Sequence, residues 1–273
     1  MKIVITSDLH YDERGHLTSP GEVQEMIQKI AIERPNLVVL AGDLSHGSKA
    51  FEDCVAAFRP LRVPVAVLAG NHDIWKDETA GFSSEELWGY QLESITMRQQ
   101  ATWLEKQNLV FGSIGVVGSM AWYDYSGVDP KAQTSPDLLE SLKSCFNNDA
   151  TWIDWGRKDR DFARELRERM LLRLRALAQQ EGIQKIVVVT HVPIVEEQME
   201  RKPEDSQWGV TNAYFGHLTL GDEVVKEPKV VAIISGHTHV GKQATRQRPG
   251  LPSIDVRVVE ADYGMPGYTV LSL

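Results

Sequence analysis

The first quarter of the chain alternates between short apolar runs and segments with the hydrophobic spacing of a helix. Three apolar runs, at 2–6, 37–40 and 64–68, predict buried strands. The segments 22–32 and 49–58 separate these runs and predict helices. In the first helix one face carries the apolar side chains Val23, Met26, Ile27 and Ile30. This β-α-β-α-β order predicts a parallel sheet covered by helices.

The rest of the chain continues the alternation, with one exception. Helices are predicted at 85–106 and 161–180, and strands at 109–111, 114–117, 185–189, 229–234, 254–258 and 268–271. We expect the last two strands to belong to a second sheet. The exception is the segment 121–159, which is rich in Trp, Tyr, Asp, Asn and Ser and shows no sustained period. We predict a long loop or cap there, within a single domain that covers 1–273.

Composition narrows the function classes. The chain has 273 residues, of which 42% are hydrophobic, as is ordinary for one soluble α/β domain. Its net charge of −9 disfavours a broad nucleic-acid surface. The two cysteines are far apart, which argues against a disulfide framework or a thiolate metal site. The sequence shows neither a signal peptide nor a membrane span, so a cytoplasmic protein without a membrane partner is expected.

The candidate chemistry lies just after the predicted strands. Each of five strands is followed by polar residues of types that bind metals: Asp8 and His10, Asp43, Asn71 with His72 and Asp73, His191, and His237 with His239. Five of the eight histidines occupy such positions. Because ligands bind at the carboxyl ends of strands in α/β sheets, we expect these side chains to meet in one cleft.

The ligand types indicate a metal site. Oxygen and imidazole donors without thiolates suit divalent Mn, Fe, Co or Zn in a functional role. Glycines precede Asp43, Asn71 and His237, where they permit sharp turns from strand to loop.

The motifs resemble those of the calcineurin-like metallophosphoesterase family. Five blocks occur in the family's order: Asp8-Leu9-His10, Gly42-Asp43, Gly70-Asn71-His72-Asp73, His191, and Gly236-His237-Thr238-His239. The resemblance implies that family's α/β fold, a four-layer α/β/β/α sandwich of two mixed sheets flanked by helices.

The resemblance also implies an enzyme with two divalent metal ions. One ion would be held by Asp8, His10, Asp43 and His239, and the other by Asp43, Asn71, His191 and His237. Asp43 would bridge the two, and a hydroxide between them would attack the phosphorus of a small phosphate mono- or diester. His72 would not be a ligand but would approach the phosphate or the leaving-group oxygen, so that Asp43 and His72 are the catalytic residues.

One block departs from part of the family. Protein phosphatases carry an Asp and an Arg soon after the Gly-Asp pair, whereas this chain reads Gly42-Asp43-Leu44-Ser45-His46. The departure disfavours a protein phosphatase and leaves open what orients His72. His46 either shapes the site or is a solvated loop residue. A nuclease or a non-catalytic protein-binding scaffold of the same fold also stays open, and the motifs determine neither the substrate, the native metals nor the oligomeric state.

Aromatic residues in the segment 121–159 allow two interpretations. Trp122, Tyr123 and Tyr125 either pack in the core or form a wall for the organic half of the substrate. Because the sequence near Trp122 follows a strand, we take as a hypothesis that this segment selects the substrate. His16 and His217 lie outside any motif and are expected at the surface.

Overall fold

Two β-sheets pack face to face in the computed structural model, which describes residues 1–14 and 16–273. The first sheet has the order β11-β1-β2-β3-β4. Its strands are β1 (Lys2–Thr6), β2 (Leu37–Ala41), β3 (Val65–Leu68), β4 (Thr102–Trp103) and β11 (Tyr268–Ser272). Strands β1 to β4 run parallel, and β11 lies antiparallel to β1.

The second sheet has the order β5-β6-β7-β8-β10-β9. Its strands are β5 (Leu109–Phe111), β6 (Ile114–Ser119), β7 (Lys185–Thr190), β8 (Val230–Ser235), β9 (Lys242–Arg248) and β10 (Leu251–Val258). The two outer strands, β5 and β9, are antiparallel to their neighbours, and the inner strands are parallel. Both sheets are therefore mixed.

Helices cover the outer face of each sheet. The helices of the described chain are α1 (Pro20–Glu33), α2 (Ser48–Ala57), α3 (Ser84–Glu86), α4 (Leu92–Arg98), α5 (Pro136–Phe146), α6 (Asp149–Trp152), α7 (Asp159–Gln179), α8 (Ser206–Thr211) and α9 (Leu218–Val224). A π-helical turn, Leu87–Gln91, joins α3 to α4. Within the described part of the chain, none of the helices combines the length and apolar character that a membrane crossing requires.

Successive side chains of each strand pack on opposite faces of its sheet. Ile3 and Ile5 of β1 share a buried cluster with Val187 and Val189 of β7, so this cluster fills the space between the sheets. The intervening Val4 points the other way, into the cluster that contains α1 and α2. Likewise Ile186 and Val188 pack with α7 and α9 on the far side. Strands buried on both faces need apolar residues throughout, and the predicted α/β/β/α sandwich is confirmed.

Two sequence predictions of the fold need correction. The helix expected at 85–106 ends at Arg98, because Gln100 adopts a left-handed backbone conformation and 102–103 then pairs with β3. The two tail strands do not share a sheet: β10 joins the second sheet and β11 completes the first. The antiparallel strand β9 was not predicted.

The segment 121–159 contains helices rather than loop alone. Helix α5 begins after Ser135, whose side chain accepts a hydrogen bond from the backbone N–H of Leu138, and Pro136 occupies its first turn. Only Leu139 of α5 is fully buried. Leu138, Leu139, Leu142 and Phe146 nevertheless recur at helical spacing, so the sequence carried a helical pattern here that the prediction of a loop overlooked.

Candidate metal centre

The strand ends of both sheets bring the predicted site residues together. Asp8 follows β1, Asp43 follows β2 and Asn71 follows β3 in the first sheet. His191 follows β7 and His237 follows β8 in the second sheet. Because the two sheets are packed with these ends at the same edge, their polar side chains point into one cleft.

A first group of donors comprises Asp8, His10 and His239. The Nε2 atoms of His10 and His239 lie 3.2 Å apart, and Nε2 of His239 lies 3.4 Å from Oδ1 of Asp8. Asp43 stands at the edge of this group, with its Oδ2 atom 4.0 Å from Nε2 of His10. Asp8, His10 and Asp43 are almost completely buried.

A second group comprises Asp43, His191 and His237. Nε2 of His191 lies 3.4 Å from Oδ2 of Asp43, 3.1 Å from Oδ1 of Asn71 and 3.2 Å from Nδ1 of His237. The two groups therefore meet at the same Asp43 oxygen. The structure brings all seven residues that were predicted as ligands to one cleft.

The chemistry of this donor set fits two divalent cations. Nδ1 of His191 faces the backbone oxygen of Ala41 at 3.0 Å, so a proton there leaves Nε2 as a lone pair directed into the cleft. Pairs of imidazole nitrogens 3.2 Å apart repel when both are unprotonated. A cation between each pair removes that repulsion, and the carboxylates balance its charge.

The backbone carries strain at the ligand positions. Five of the seven predicted ligands have φ between 43° and 70°, in the left-handed region: Asp8, His10, Asp43, His237 and His239. Asp and His tolerate this region better than most residues, yet it still costs about 1–3 kcal/mol each. The surrounding fold must stabilise this geometry, as is common where side chains are held in place for function.

Close approach explains two of the glycines in the motifs. A Cβ atom on Gly70 would lie 2.1 Å from Oδ1 of Asp43, and one on Gly236 would lie 2.3 Å from Oδ2 of Asp8. These two glycines are needed because a carboxylate packs directly against their Cα atoms. The sequence-based explanation, a sharp turn, applies to Gly42, whose φ is 87°.

Charges in the site hold the ligands in opposite protonation states when no cation is bound. Burial alone would raise the pKa of Asp8, but His239 and His191 outweigh burial and hold it at about 2. Burial opposes the charged form of His191 too, yet Asp43 raises its pKa to about 9. For His237, burial and the neighbouring His191 lower the pKa to about 4.

His72 lies on the open side of the cleft beside both groups. Its Nε2 atom is 3.9 Å from Oδ2 of Asp43, and its own backbone N–H donates to Oδ1 of Asp43 at 2.8 Å. With His10 and Asp43 it forms a third, overlapping group of possible ligands. The His72 ring stacks on the indole of Trp75 with centroids 3.7 Å apart, and a fifth of the side chain is exposed.

His46 contributes to the rim next to His72. Its ring packs edge-on against Trp75 and Trp152, with centroids 5.3 Å away from each. Burial of the ring, and next the charge of His72, lower the pKa of His46. His46 thus packs against the indole that lies under His72, although the residue as a whole is exposed.

Two carboxylates that sequence reasoning left without a role are built into the site. Asp73 accepts hydrogen bonds from the backbone N–H groups of Leu44, Ser45 and Gly70, which ties the loops after β2 and β3 together. Burial and the charge of Asp43 raise the pKa of Asp73 to about 8. The Gly-Asn-His-Asp motif contained this residue, so a signal existed.

Asp149 is the second of these carboxylates, and no sequence motif pointed to it. It lies in the segment 121–159 and is fully buried. Its Oδ1 atom accepts from Nδ2 of Asn71 at 2.9 Å and from Nε1 of Trp75 at 2.6 Å. Its Oδ2 atom accepts from the hydroxyl of Tyr123 at 2.9 Å.

A cleft of about 340 Å³ opens above the site. Aromatic side chains form much of its wall: Trp75, Phe146, Trp208, Phe215 and Tyr263. Phe215 packs edge-on against His237 and against Trp208, with centroids 5.2 and 5.7 Å apart. Tyr263 lies on the opposite side, 4.8 Å from the ring of His10.

The hypothesis of an aromatic wall from Trp122, Tyr123 and Tyr125 is wrong. All three rings are buried, and Nε1 of Trp122 and the hydroxyl of Tyr125 donate to Asp159 at 2.8 and 2.6 Å. These residues therefore pack in the core. The surface position expected for His217 is also wrong, because its ring is buried beside Asp124; His16 is exposed as expected.

Most of the chain matches the model of a known protein family. Residues 1–241 match the family model described as calcineurin-like phosphoesterase. A comparison with curated protein sequences finds no match.

Similar folds occur among solved structures. Phosphopantetheinyl hydrolase from Mycobacterium tuberculosis aligns with a TM-score of 0.70 and 18% identity, over 96% of this chain and 90% of that protein. A dimetal phosphatase from Danio rerio aligns with a TM-score of 0.62 and 15% identity, over 100% of this chain and 92% of that one. A purple acid phosphatase from yellow lupin aligns with a TM-score of 0.54 and 15% identity, over 98% of this chain and 45% of that protein.

Proposed function

This chain belongs to the calcineurin-like phosphoesterase family, and on that premise we propose that it hydrolyses a phosphate ester of a small molecule with the help of two divalent metal ions. The observation that carries the proposal is the pair of donor groups that share Asp43. Asp8, His10, Asp43 and His239 would hold one ion, and Asp43, Asn71, His191 and His237 the other. Mn, Fe, Zn and Co all suit these donors.

The bound ions would supply positive charge that polarises the phosphate oxygens and acidifies a water molecule. The chain's own residues then have separate tasks. Asp43 fixes the spacing of the two ion sites because both donor groups use its carboxylate. His191 keeps its lone pair directed inward through the contact with the Ala41 oxygen. His72 lines the cleft, with its Nε2 atom 3.9 Å from the Asp43 carboxylate, and can donate a proton to the phosphoryl or leaving-group oxygen.

The cleft favours a substrate with one phosphate and an uncharged organic half. Among the described residues that line it, there is no lysine or arginine. A second phosphate would therefore lack a cationic partner, which disfavours polyphosphates and nucleic acid. Phe146, Trp208 and Phe215 instead offer apolar faces beside the ion site that contains His237.

The first experiment is a Mn²⁺-loaded activity assay with single-phosphate esters, both mono- and diesters, and with nucleotides, short DNA and a phosphoserine peptide. A phosphopantetheine ester belongs in the panel because the hydrolase of that name shares the fold. We expect turnover of single-phosphate esters with uncharged organic groups, and loss of turnover with a chelator. Turnover of DNA or phosphopeptide alone would replace this proposal, and a fully metal-loaded protein inactive on every ester would favour a non-catalytic scaffold.

A second experiment tests the aromatic wall. Trp208→Ala and Phe215→Ala should lower the ratio of kcat/KM for an aryl phosphate to kcat/KM for methyl phosphate, because packing against the aryl group is lost. The expected fall is roughly 10-fold, about the contribution of one aromatic contact. Tyr90→Ala is the control, since Tyr90 is exposed and lies outside the cleft. An unchanged ratio in both cleft variants would contradict the role of this wall.

A further inference from the structure

The buried carboxylate of Asp149 has an unusual set of partners. Its hydrogen bonds come from one side-chain amide, one indole and one phenol, and all three donors are neutral. In the described part of the chain no lysine or arginine forms an ion pair with it. A buried charge without a cationic partner is costly. Two divalent cations bound beyond Asn71 would offset that cost, because they would attract the carboxylate of Asp149.

The first consequence concerns Asn71. Oδ1 of Asp149 already accepts from the indole N–H of Trp75, which can only donate, so this oxygen is an acceptor and the Asn71 group that faces it must be the NH₂ group. The Asn71 oxygen is then forced to the opposite side, where it lies 3.1 Å from Nε2 of His191. A flipped amide would place oxygen against oxygen. Asp149 therefore fixes which Asn71 atom faces the cation site.

The second consequence concerns His72. The same Oδ1 atom holds the indole N–H of Trp75 at 2.6 Å, and the ring of Trp75 stacks under His72 with an interplanar angle of 25°. The His72 ring also packs at a steep angle against the ring of His10, with centroids 4.7 Å apart. Two rings thus contact His72, and Asp149 holds one of them, the indole of Trp75, in position.

We propose that Asp149 is a positioning residue that orients Asn71 directly and His72 through Trp75. The proposal rests on the function proposed above. It assigns to the segment 121–159 a part in the chemistry of the site, in addition to the apolar face that Phe146 gives the cleft. It also supplies the support for His72 that the motif after Asp43 lacks.

The two carboxylate oxygens permit a matched pair of variants. Asp149→Asn keeps the shape of the side chain. Its amide oxygen is, however, a weaker acceptor than a carboxylate oxygen for the two hydrogen bonds from Asn71 and Trp75. We expect Mn²⁺ affinity to fall ~10- to 100-fold, as is typical when the support of a metal ligand is removed. Tyr123→Phe removes only the hydrogen bond to Oδ2, and we expect Mn²⁺ affinity to stay within about twofold of the parent protein. Competition with a fluorescent chelator measures both without any substrate.

Trp75→Phe separates the two effects and guards against a variant that fails to fold. It removes one hydrogen bond but leaves an aromatic ring under His72 and leaves Asn71 bound to Asp149. We expect kcat to fall while Mn²⁺ affinity is retained, because only the positioning of His72 is weakened. An unchanged kcat in Trp75→Phe would contradict the part of the proposal in which Asp149 orients His72 through Trp75.

A double-mutant cycle tests whether Asp149 orients Asn71 directly. In an Asn71→Ala background, Asp149→Asn should change Mn²⁺ affinity far less than it does alone, because the side chain that it orients is gone. Additive changes would overturn the proposal, as would equal Mn²⁺ affinities for Asp149→Asn and Tyr123→Phe. Because affinity is measured without turnover, a protein that binds Mn²⁺ tightly but hydrolyses nothing would reject the proposed function and leave this assignment standing.

Discussion

The strand ends and the segment 121–159 contribute to the same cleft in different ways. The predicted ligands follow strands directly, and most of them have a left-handed backbone conformation that the sheets hold in place. The segment 121–159 instead packs through buried aromatic rings. Their N–H and O–H groups donate hydrogen bonds to two carboxylates, Asp149 and Asp159. One region positions side chains by backbone geometry and the other by side-chain hydrogen bonds. The contrast predicts that variants in the first affect activity most, and variants in the second affect stability most, with Asp149 as the exception.

The strongest test of the strand-end region is Asp43→Asn. Both donor groups use this carboxylate, so the loss of its charge weakens both cation sites at once. We expect kcat/KM to fall by at least ~10³-fold, and bound Mn²⁺ per chain to fall as well. Elemental analysis and steady-state kinetics measure the two effects. Asp137→Asn is the control, because Asp137 is exposed and pairs only at the surface; two tightly bound ions in Asp43→Asn would rule out the bridging role.

The next test separates ligand from catalyst at the same edge. His72→Ala should retain two Mn²⁺ ions but lower kcat by about 10²–10⁴-fold, the range for a lost acid–base group. Metal content and turnover are measured on the same sample, with the exposed His16→Ala as the control. Because His72 also belongs to an overlapping donor group, loss of one ion in His72→Ala would show that it is a ligand.

The segment 121–159 is tested at Asp159. This carboxylate accepts from Nζ of Lys143 at 2.8 Å as well as from Trp122 and Tyr125, and the ion pair is largely buried. Asp159→Asn should lower the free energy of unfolding by roughly 3 kcal/mol, because Lys143 is left as an unpaired buried charge.

Urea denaturation measures this loss, and the folded variant should still bind two Mn²⁺ ions. Asp161→Asn is the control, since its pair with Arg164 is exposed and contributes less than about 1 kcal/mol. A loss of Mn²⁺ affinity in Asp159→Asn would mean that the two carboxylates do not have separate tasks.

The smallest effect is expected at Glu105, where the two regions join. This buried carboxyl group accepts from the backbone N–H of Met120, at the start of the segment. Burial raises its pKa from 4.5 to about 7. A carboxyl whose folded pKa is raised stabilises the fold fully below pH 4.5, and this contribution is lost as the pH rises through about 7.

Glu105→Gln cannot titrate. Between pH 4.5 and 7 the free energy of unfolding should therefore decrease less in this variant than in the parent chain, and the difference should be on the order of 2 kcal/mol. Urea denaturation across this pH range measures the difference. The exposed Glu181→Gln should follow the parent curve. Parallel curves for Glu105→Gln and the parent would show that Glu105 keeps the same pKa on unfolding.

How much the sequence could predict follows the same division. Strands buried on both faces and polar residues directly after them are local patterns, so the sandwich and the convergence of Asp8, Asp43 and His191 could be foreseen. The partner of a strand is not a local property, which is why the separation of β10 from β11 was missed. Nor could the sequence show that Asp149 returns to Asn71, 78 positions away, because one side-chain contact has no period.

The left-handed backbone at the ligand positions has a consequence for directed evolution. Glycine adopts such conformations without strain, so exchanging Asp8 or His239 for glycine should remove this backbone strain from the metal-free chain. Selection for heat resistance alone would then favour inactive descendants over the parent. A library screened for robustness should therefore be screened for turnover in the same round, or these positions should be held constant from the start.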